Sequence, residues 1–142
     1  MFGYHYEELR RKSIQMPAKP TESELSILQI LWAHERATVR TVNETLNETA
    51  LSPIGYTTTL KLMQIMTEKG LVQRDTSSRT HVYRAAIPQA TVRNGLVSGL
   101  VDKVFGGSAS QLVLQALGNH RATPAELAEI KSLIARLEDE QE

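Results

Sequence analysis

The chain contains no cysteine, no long apolar run and no net charge, and each absence removes a class of answer. Without cysteine there are no disulfides, no thiolate metal sites and no cysteine nucleophile. No stretch approaches the roughly 18 consecutive apolar residues that a transmembrane helix requires. The opening MFGYHYEELRRKSIQMPAKP has no apolar core of signal-peptide length, so a cytoplasmic location without a membrane partner is expected. Enzymatic fingerprints are missing as well. No phosphate loop or dinucleotide motif is present. GGSAS, from Gly106 to Ser110, lacks the last glycine and the preceding strand of a nucleophile elbow. His5, His34, His81 and His120 have neither an i, i+4 partner nor a nearby group of carboxylates, so no metal site is expected. The expectation is a protein that is not an enzyme and carries no cofactor.

What is present fits a small chain with an internal division. The 142 residues, 41% hydrophobic, suffice for one modest domain or for a small domain with an appended assembly element. The zero net charge conceals an asymmetry. Residues 53–84 carry Lys61, Lys69, Arg74, Arg79 and Arg84 against Glu68 and Asp75, a net +3. Residues 118–142 carry Arg121, Lys131 and Arg136 against Glu126, Glu129, Glu138, Asp139, Glu140 and Glu142, a net −3. A basic middle suits contact with a polyanion, and an acidic end suits water or a protein partner.

The hydrophobic spacing predicts a mainly α fold with a small β-hairpin wing. Thr21 and Glu24 form a capping-box pattern ahead of Leu25, Leu28, Leu31 and Trp32, which share a helical face. Thr38 is expected to cap a short second helix bearing Val39, Val42 and Leu46. Ser52 and Pro53 punctuate the chain, and a third helix is expected from Tyr56 to Lys69, ended by Gly70. LVQRD and THVYRA, joined by the polar TSSR, read as a hairpin with an exposed tip. Three helices and then a hairpin is the order of a winged helix-turn-helix, here over residues 18–87, with Pro88 closing it.

Residues 88–142 carry only helical signals and are expected to form a helical dimerisation domain. Val92, Leu96, Leu100 and Val104 make one stripe, Gly106 to Ser108 break it, and Leu112 to Leu117 follow as a short apolar segment. Thr123, Pro124 and Glu126 open a last helix whose Leu127, Ile130, Ile134 and Leu137 step by three, four and three, a coiled-coil-like seam. So narrow a seam is expected to meet a second copy of the chain, giving a homodimer in which Val92, Leu96, Leu100, Leu112, Leu127, Ile130, Ile134 and Leu137 face the partner. Residues 1–17 fit no period and read as an arm ordered on contact, a remnant of expression, or the product of an upstream start codon.

The segment YTTTLKLMQIMTEKGLV places three threonines where the third helix begins. In a helix-turn-helix the second helix of the motif turns its first residues toward base edges and phosphates. Threonine there donates to or accepts from a base edge, touches a thymine methyl, or bonds a phosphate favoured by the positive helix end. Lys61 lies one turn beyond Thr57 and Thr58, within reach of a phosphate or a guanine. Simpler roles stand beside these: threonines at a helix start are often caps, and an arginine at a hairpin tip such as Arg79 is by default a solvated charge. Leu62, Met63, Ile65 and Met66 read as core.

Several of these motifs together resemble the BlaI/MecI penicillinase-repressor family over roughly Pro20 to Glu140. They are the leading E-L-x-I-L-x-I-L-W, the T-V-R-x-V of the second helix, Y-T-T at the third, E-K-G-L-V, and H-V-Y on the return strand. The resemblance implies a dimeric transcriptional repressor that binds a palindromic operator in double-stranded DNA and controls antibiotic-resistance or related genes. Carried over by position, Tyr56, Thr57, Thr58 and Lys61 would face the major groove, Arg40 and Thr41 would support at the backbone, and Ser78 and Arg79 would meet phosphate. It also implies a regulatory protease cutting within the dimerisation region. Where family members carry an Asn-Phe pair, this chain has Gln115 and Ala116. A copper switch of the kind built on a cysteine-rich tail is excluded by the absence of cysteine. Two readings of other kinds stand beside the repressor: a winged-helix protein-interaction scaffold, and a regulator governed by a small ligand in its dimer interface.

Overall fold

The computed structural model describes residues 19–141. The arm expected at residues 1–17 lies outside them. The helix α1 (Glu22–His34) begins at the capping box read from the sequence. Thr21 Oγ1 accepts from the Glu24 amide at 3.2 Å, and Glu24 Oε1 accepts from the Thr21 amide at 2.9 Å. The helix ends in a rare turn. Glu35 takes φ 63 and ψ −47, and the Arg36 amide donates to the His34 carbonyl at 2.7 Å, which is a γ-turn of the strained hand on a residue other than glycine.

A two-residue strand, β1 (Ala37–Thr38), follows directly and leads into α2 (Val39–Thr49), capped by Thr38 through the Thr41 amide. The helix α3 (Tyr56–Glu68) comes next. It stops at a Schellman motif: Gly70 at φ 78 donates to the Thr67 carbonyl, and the Leu71 amide reaches back to Met66 at 2.9 Å. The wing is β2 (Val72–Asp75) and β3 (Val82–Ala85). All three strands form one antiparallel sheet in the order β1-β3-β2, with Ala37 opposite Tyr83 and Arg74 opposite Tyr83 from the other side. A hairpin alone was expected. The third strand is too short to carry a pattern of its own and exists through its pairing with Tyr83 and Val82.

The core of this part is made by Ile27, Leu28 and Leu31 of α1, Val39 and Val42 of α2, Met63 and Met66 of α3, and Leu71, Val72 and Tyr83 at the wing. Leu25 is only half-buried, and Ile27 takes the core position. Leu62 and Ile65 are half-buried. Trp32 is also half-buried, and its indole Nε1 donates to the Ile87 carbonyl at 3.0 Å, so its polar edge is satisfied where its ring packs. Glu24 is 1% exposed, and its carboxylate also receives Lys69 Nζ at 2.9 Å. Burial raises its pKa, but the bonds from Thr21 and Lys69 together outweigh that, and the net displacement is downward.

The chain after the wing continues as α4 (Gln89–Val104), α5 (Ala109–Asn119) and α6 (Pro124–Glu140). Two compact units divide at Ser98 and Gly99, inside α4, whereas the sequence placed the division at residue 88. In the second unit Gly106 and Gly107 take φ 58 and 86, and the Gly107 amide caps the Val101 carbonyl at 2.9 Å. Ser108 caps α5, and Thr123 with Glu126 forms the expected capping box at α6. Neither α5 nor α6 buries any of its residues. Among the described residues no helix is long and apolar enough to cross a membrane.

Candidate nucleic-acid interface

The turn between α2 and α3 is held by two asparagines one helical turn apart. Asn43 Nδ2 donates to the Ile54 carbonyl at 2.9 Å and to Thr59 Oγ1 at 2.8 Å. Asn47 Oδ1 accepts from the Ile54 amide at 2.7 Å, and its Nδ2 returns a bond to the Ile54 carbonyl at 3.0 Å. Both polar groups of Ile54 are thereby fixed, which sets the direction in which α3 leaves the turn.

These bonds sort the three threonines. Thr59 is fully buried and serves as an acceptor for Asn43, so it is a structural residue. Thr57 and Thr58 are exposed, as are Tyr56, at 51%, and Lys61. None of the three threonines caps the helix. The N-cap is Gly55, which offers no side-chain bond, whereas α1, α2, α5 and α6 are each capped by a hydroxyl. The first amides of α3 therefore lack a side-chain acceptor at the end where the helix dipole favours an anion.

Beside this end lies the wing tip. Asp75 accepts from the Ser77 amide at 2.9 Å, and its carboxyl is held below the usual range by the Ser77 hydroxyl first and the Ser77 amide next, with Arg36 and Arg84 adding to the effect. Ser78 donates its hydroxyl to the Thr80 carbonyl at 2.8 Å. The tip is thus shaped by its own short-range bonds, and Arg79 stands exposed on it. A hollow of about 280 Å³ opens between the start of α2, the start of α3 and the wing, and Arg40, Tyr56, Arg79 and His81 share its wall. The sequence singled out Arg40, Tyr56 and Arg79 separately, and the fold brings them to one concavity. Thr57, Thr58 and Lys61 stand outside that wall.

Other expected residues take different places. Thr41 is half-buried, and its hydroxyl and amide both engage the Thr38 cap. Arg40 reaches Glu44 at 3.1 Å in an exposed i, i+4 pair, an interaction worth only about 0.3–0.5 kcal/mol and readily exchanged for a phosphate. Val92 is fully buried within its own chain, so its side chain has no surface left to meet a second copy. Leu96, Leu112 and Ile130 are half-buried, and Leu100, Leu127, Ile134 and Leu137 are exposed. Leu133, 46% exposed, joins them on α6. The asparagine pair and His81 escaped the sequence reading. Asparagines four apart on a helix that runs into a Ser-Pro turn were the available signal for the first.

A model of the penicillinase repressor family matches residues 20–136. No curated protein matches the chain. Among solved structures, the hsRosR-S4 complex is similar at 15% identity and a TM-score of 0.51, covering 92% of this chain and 99% of that one. The hsRosR-SG complex gives 15% identity and a TM-score of 0.50 over 90% of this chain and 100% of that one. At such identity the likeness is one of fold, and it agrees with the winged helix built above. The chain belongs to the penicillinase repressor family, and it is a winged-helix DNA-binding transcriptional repressor rather than an enzyme.

Proposed function

We propose that the chain represses transcription as a homodimer, each winged-helix unit reading one half of a palindromic operator. Thr57, Thr58 and Lys61 meet base edges and adjacent phosphates in the major groove, Tyr56 and Arg40 lie against the backbone, and Arg79 with the Ser78 turn meets phosphate beside them. The observation that carries this reading is the exposed start of α3, free of a side-chain cap and flanked by the wing hollow. Pairing of protomers is supported by the second unit, whose Leu114, Leu127, Leu133, Ile134 and Leu137 are 41–65% exposed on helices that bury nothing of their own. Short helices in water hold their shape chiefly by burying an apolar face, and a second copy supplies the missing half. Membership of the family supports, as part of the same reading, control of resistance or related genes and relief by a protease. Gln115 and Ala116 lie within α5, so a protease cutting there needs that helix to open locally.

The test is a gel-shift titration against the DNA flanking the protein's own gene, followed by footprinting. A protected dyad is the expected result. Absence of binding at low salt overturns the reading in favour of a winged-helix interaction scaffold.

A further inference from the structure

A second hollow, of about 330 Å³, opens at the wing and shares only Tyr83 with the first. Arg36, Arg74 and Arg84 line it, with Asp75 as the one acid in its wall. The sheet register explains why Arg36 and Arg84 lie together, while Arg74 belongs to the next row, opposite Tyr83, and reaches the hollow from there. Ala37 pairs with Tyr83, so one step further along the antiparallel ladder Arg36 falls opposite Arg84, and Arg84 in turn pairs with Gln73. Two like charges side by side repel; Asp75 attracts both Arg36 and Arg84 but accepts from neither, and among the described residues none of the three guanidiniums forms an ion pair. The partner that Arg84 does have is neutral. Its Nε and Nη2 donate to Gln73 Oε1 at 3.0 and 2.7 Å, which fixes the plane of the guanidinium and leaves Nη1 free. The Asp75 carboxylate is turned to the Ser77 amide. The strained turn at Glu35 delivers Arg36 to this row, and a strained residue persists only where its surroundings hold it.

We propose that Arg36, Arg74 and Arg84 form an oxoanion site that takes a phosphate group. The phosphate comes either from the backbone of a duplex running past the wing or from a free phosphate or phosphomonoester. Guanidinium forks match phosphate oxygens in pairs, and an anion between Arg36 and Arg84 turns their repulsion into a shared contact. The duplex source rests on the operator reading above, and the free source does not.

Two measurements on the full chain test it. In the first, the arginine Nε–H signals are followed by NMR while inorganic phosphate is added, against chloride at equal ionic strength. Saturable shifts of Arg36, Arg74 and Arg84 that vanish in the double variant Arg36→Gln, Arg84→Gln support the site. In the second, affinity is compared for the footprinted duplex and the same duplex extended on both sides. A gain from extension that the double variant loses, with a salt slope shallower by about 0.9 per phosphate contact removed, assigns the backbone as the source. Phosphate shifts without a length effect assign the free anion. Identical responses to phosphate and chloride, together with no length effect in the wild type, overturn the proposal. Failure of operator binding itself shows as loss of affinity for both duplexes and leaves the phosphate titration readable.

Discussion

The winged-helix unit buries an apolar core within one chain, with Leu51 left exposed, while the helices beyond Gly99 leave their apolar side chains on the surface. In the first, Ile27, Leu28, Val42, Met63, Met66 and Leu71 are all completely buried. In the second, Leu114 and Val104 are 65% and 64% exposed, and α5 and α6 bury nothing. Each contains a helix opened by a complete capping box, at Thr21 and at Thr123, so the difference is one of tertiary burial and not of local design. Capping sets where a helix starts. It does not supply the apolar contact that makes the helix persist. The first unit is thus closed within one chain, and in the proposed homodimer the second is completed by a partner.

The largest expected effect breaks this contrast at its weaker side. Replacing Ile130 and Ile134 by Asp puts two charges into the face proposed to meet a second copy, at a cost of several kcal/mol, on the order of 3–5. Sedimentation should show a monomer, and operator affinity should fall by more than about 100-fold as the second half-site is lost. The winged-helix unit should keep its own melting transition. A variant that stays dimeric removes α6 from the interface.

The next effect falls on the self-sufficient side. Met66→Ala should cost about 2–5 kcal/mol of stability because the side chain has no exposure, whereas Leu133→Ala in an isolated protomer should cost far less. Denaturant midpoints of the two variants, read at a concentration where the protein is monomeric, decide it. Equal losses would mean that the second unit has a core of its own. Acid provides a further handle on the first unit. The Glu24 carboxyl is lowered from its ordinary value of 4.5, so its contribution is fully present above that pH and disappears as pH falls through the folded-state value. Lys69→Met removes one of the groups that lower it, and acid unfolding of that variant should begin at a higher pH than in the wild type.

The two units also differed in how far they could be read from sequence. Caps at Thr21, Thr38 and Thr123 were legible because donor and acceptor lie three residues apart. Their partners are local, and local patterns survive in a linear reading. The strand at Ala37 and Thr38 was not, since its pairing residues are Tyr83 and Val82. Nor was the Glu24–Lys69 contact, which spans 45 positions. Within the candidate site, Tyr56, Thr57, Thr58 and Lys61 were singled out by the helix-turn-helix order and the family resemblance, and all four are exposed. The burial of Thr59 depends on Asn43, which a pattern of threonines alone does not reveal.

That distinction is open to a sharper test with effects of intermediate size. Thr59→Val keeps the shape but removes the acceptor for Asn43, and should cost about 1–3 kcal/mol of stability. Thr58→Ala should leave the melting temperature within a few degrees and weaken operator binding by about 1–3 kcal/mol per half-site, with little change on a scrambled duplex. Equal weakening on both duplexes would make Thr58 a phosphate contact. A stability loss without a DNA effect would make it structural, like its neighbour.

The smallest effect concerns Arg79, and it separates positioning from reading within the wing. A guanidinium on an exposed tip that meets a phosphate releases counterions without sensing the base sequence, so its removal should act on salt dependence more than on preference. Arg79→Ala should flatten the slope of log affinity against log salt by about 0.9 for each wing that had held a phosphate. The ratio of operator to scrambled affinity at fixed salt should stay nearly constant, because both complexes lose the same contact. Stability should not change measurably, since the tip is shaped by the bonds of Asp75 to Ser77 and of Ser78 to Thr80, in which the Arg79 side chain takes no part. Titrations of both duplexes at several salt concentrations read slope and ratio together. An unchanged slope would leave Arg79 as a solvated charge, and a falling ratio would move it from the backbone to a base edge.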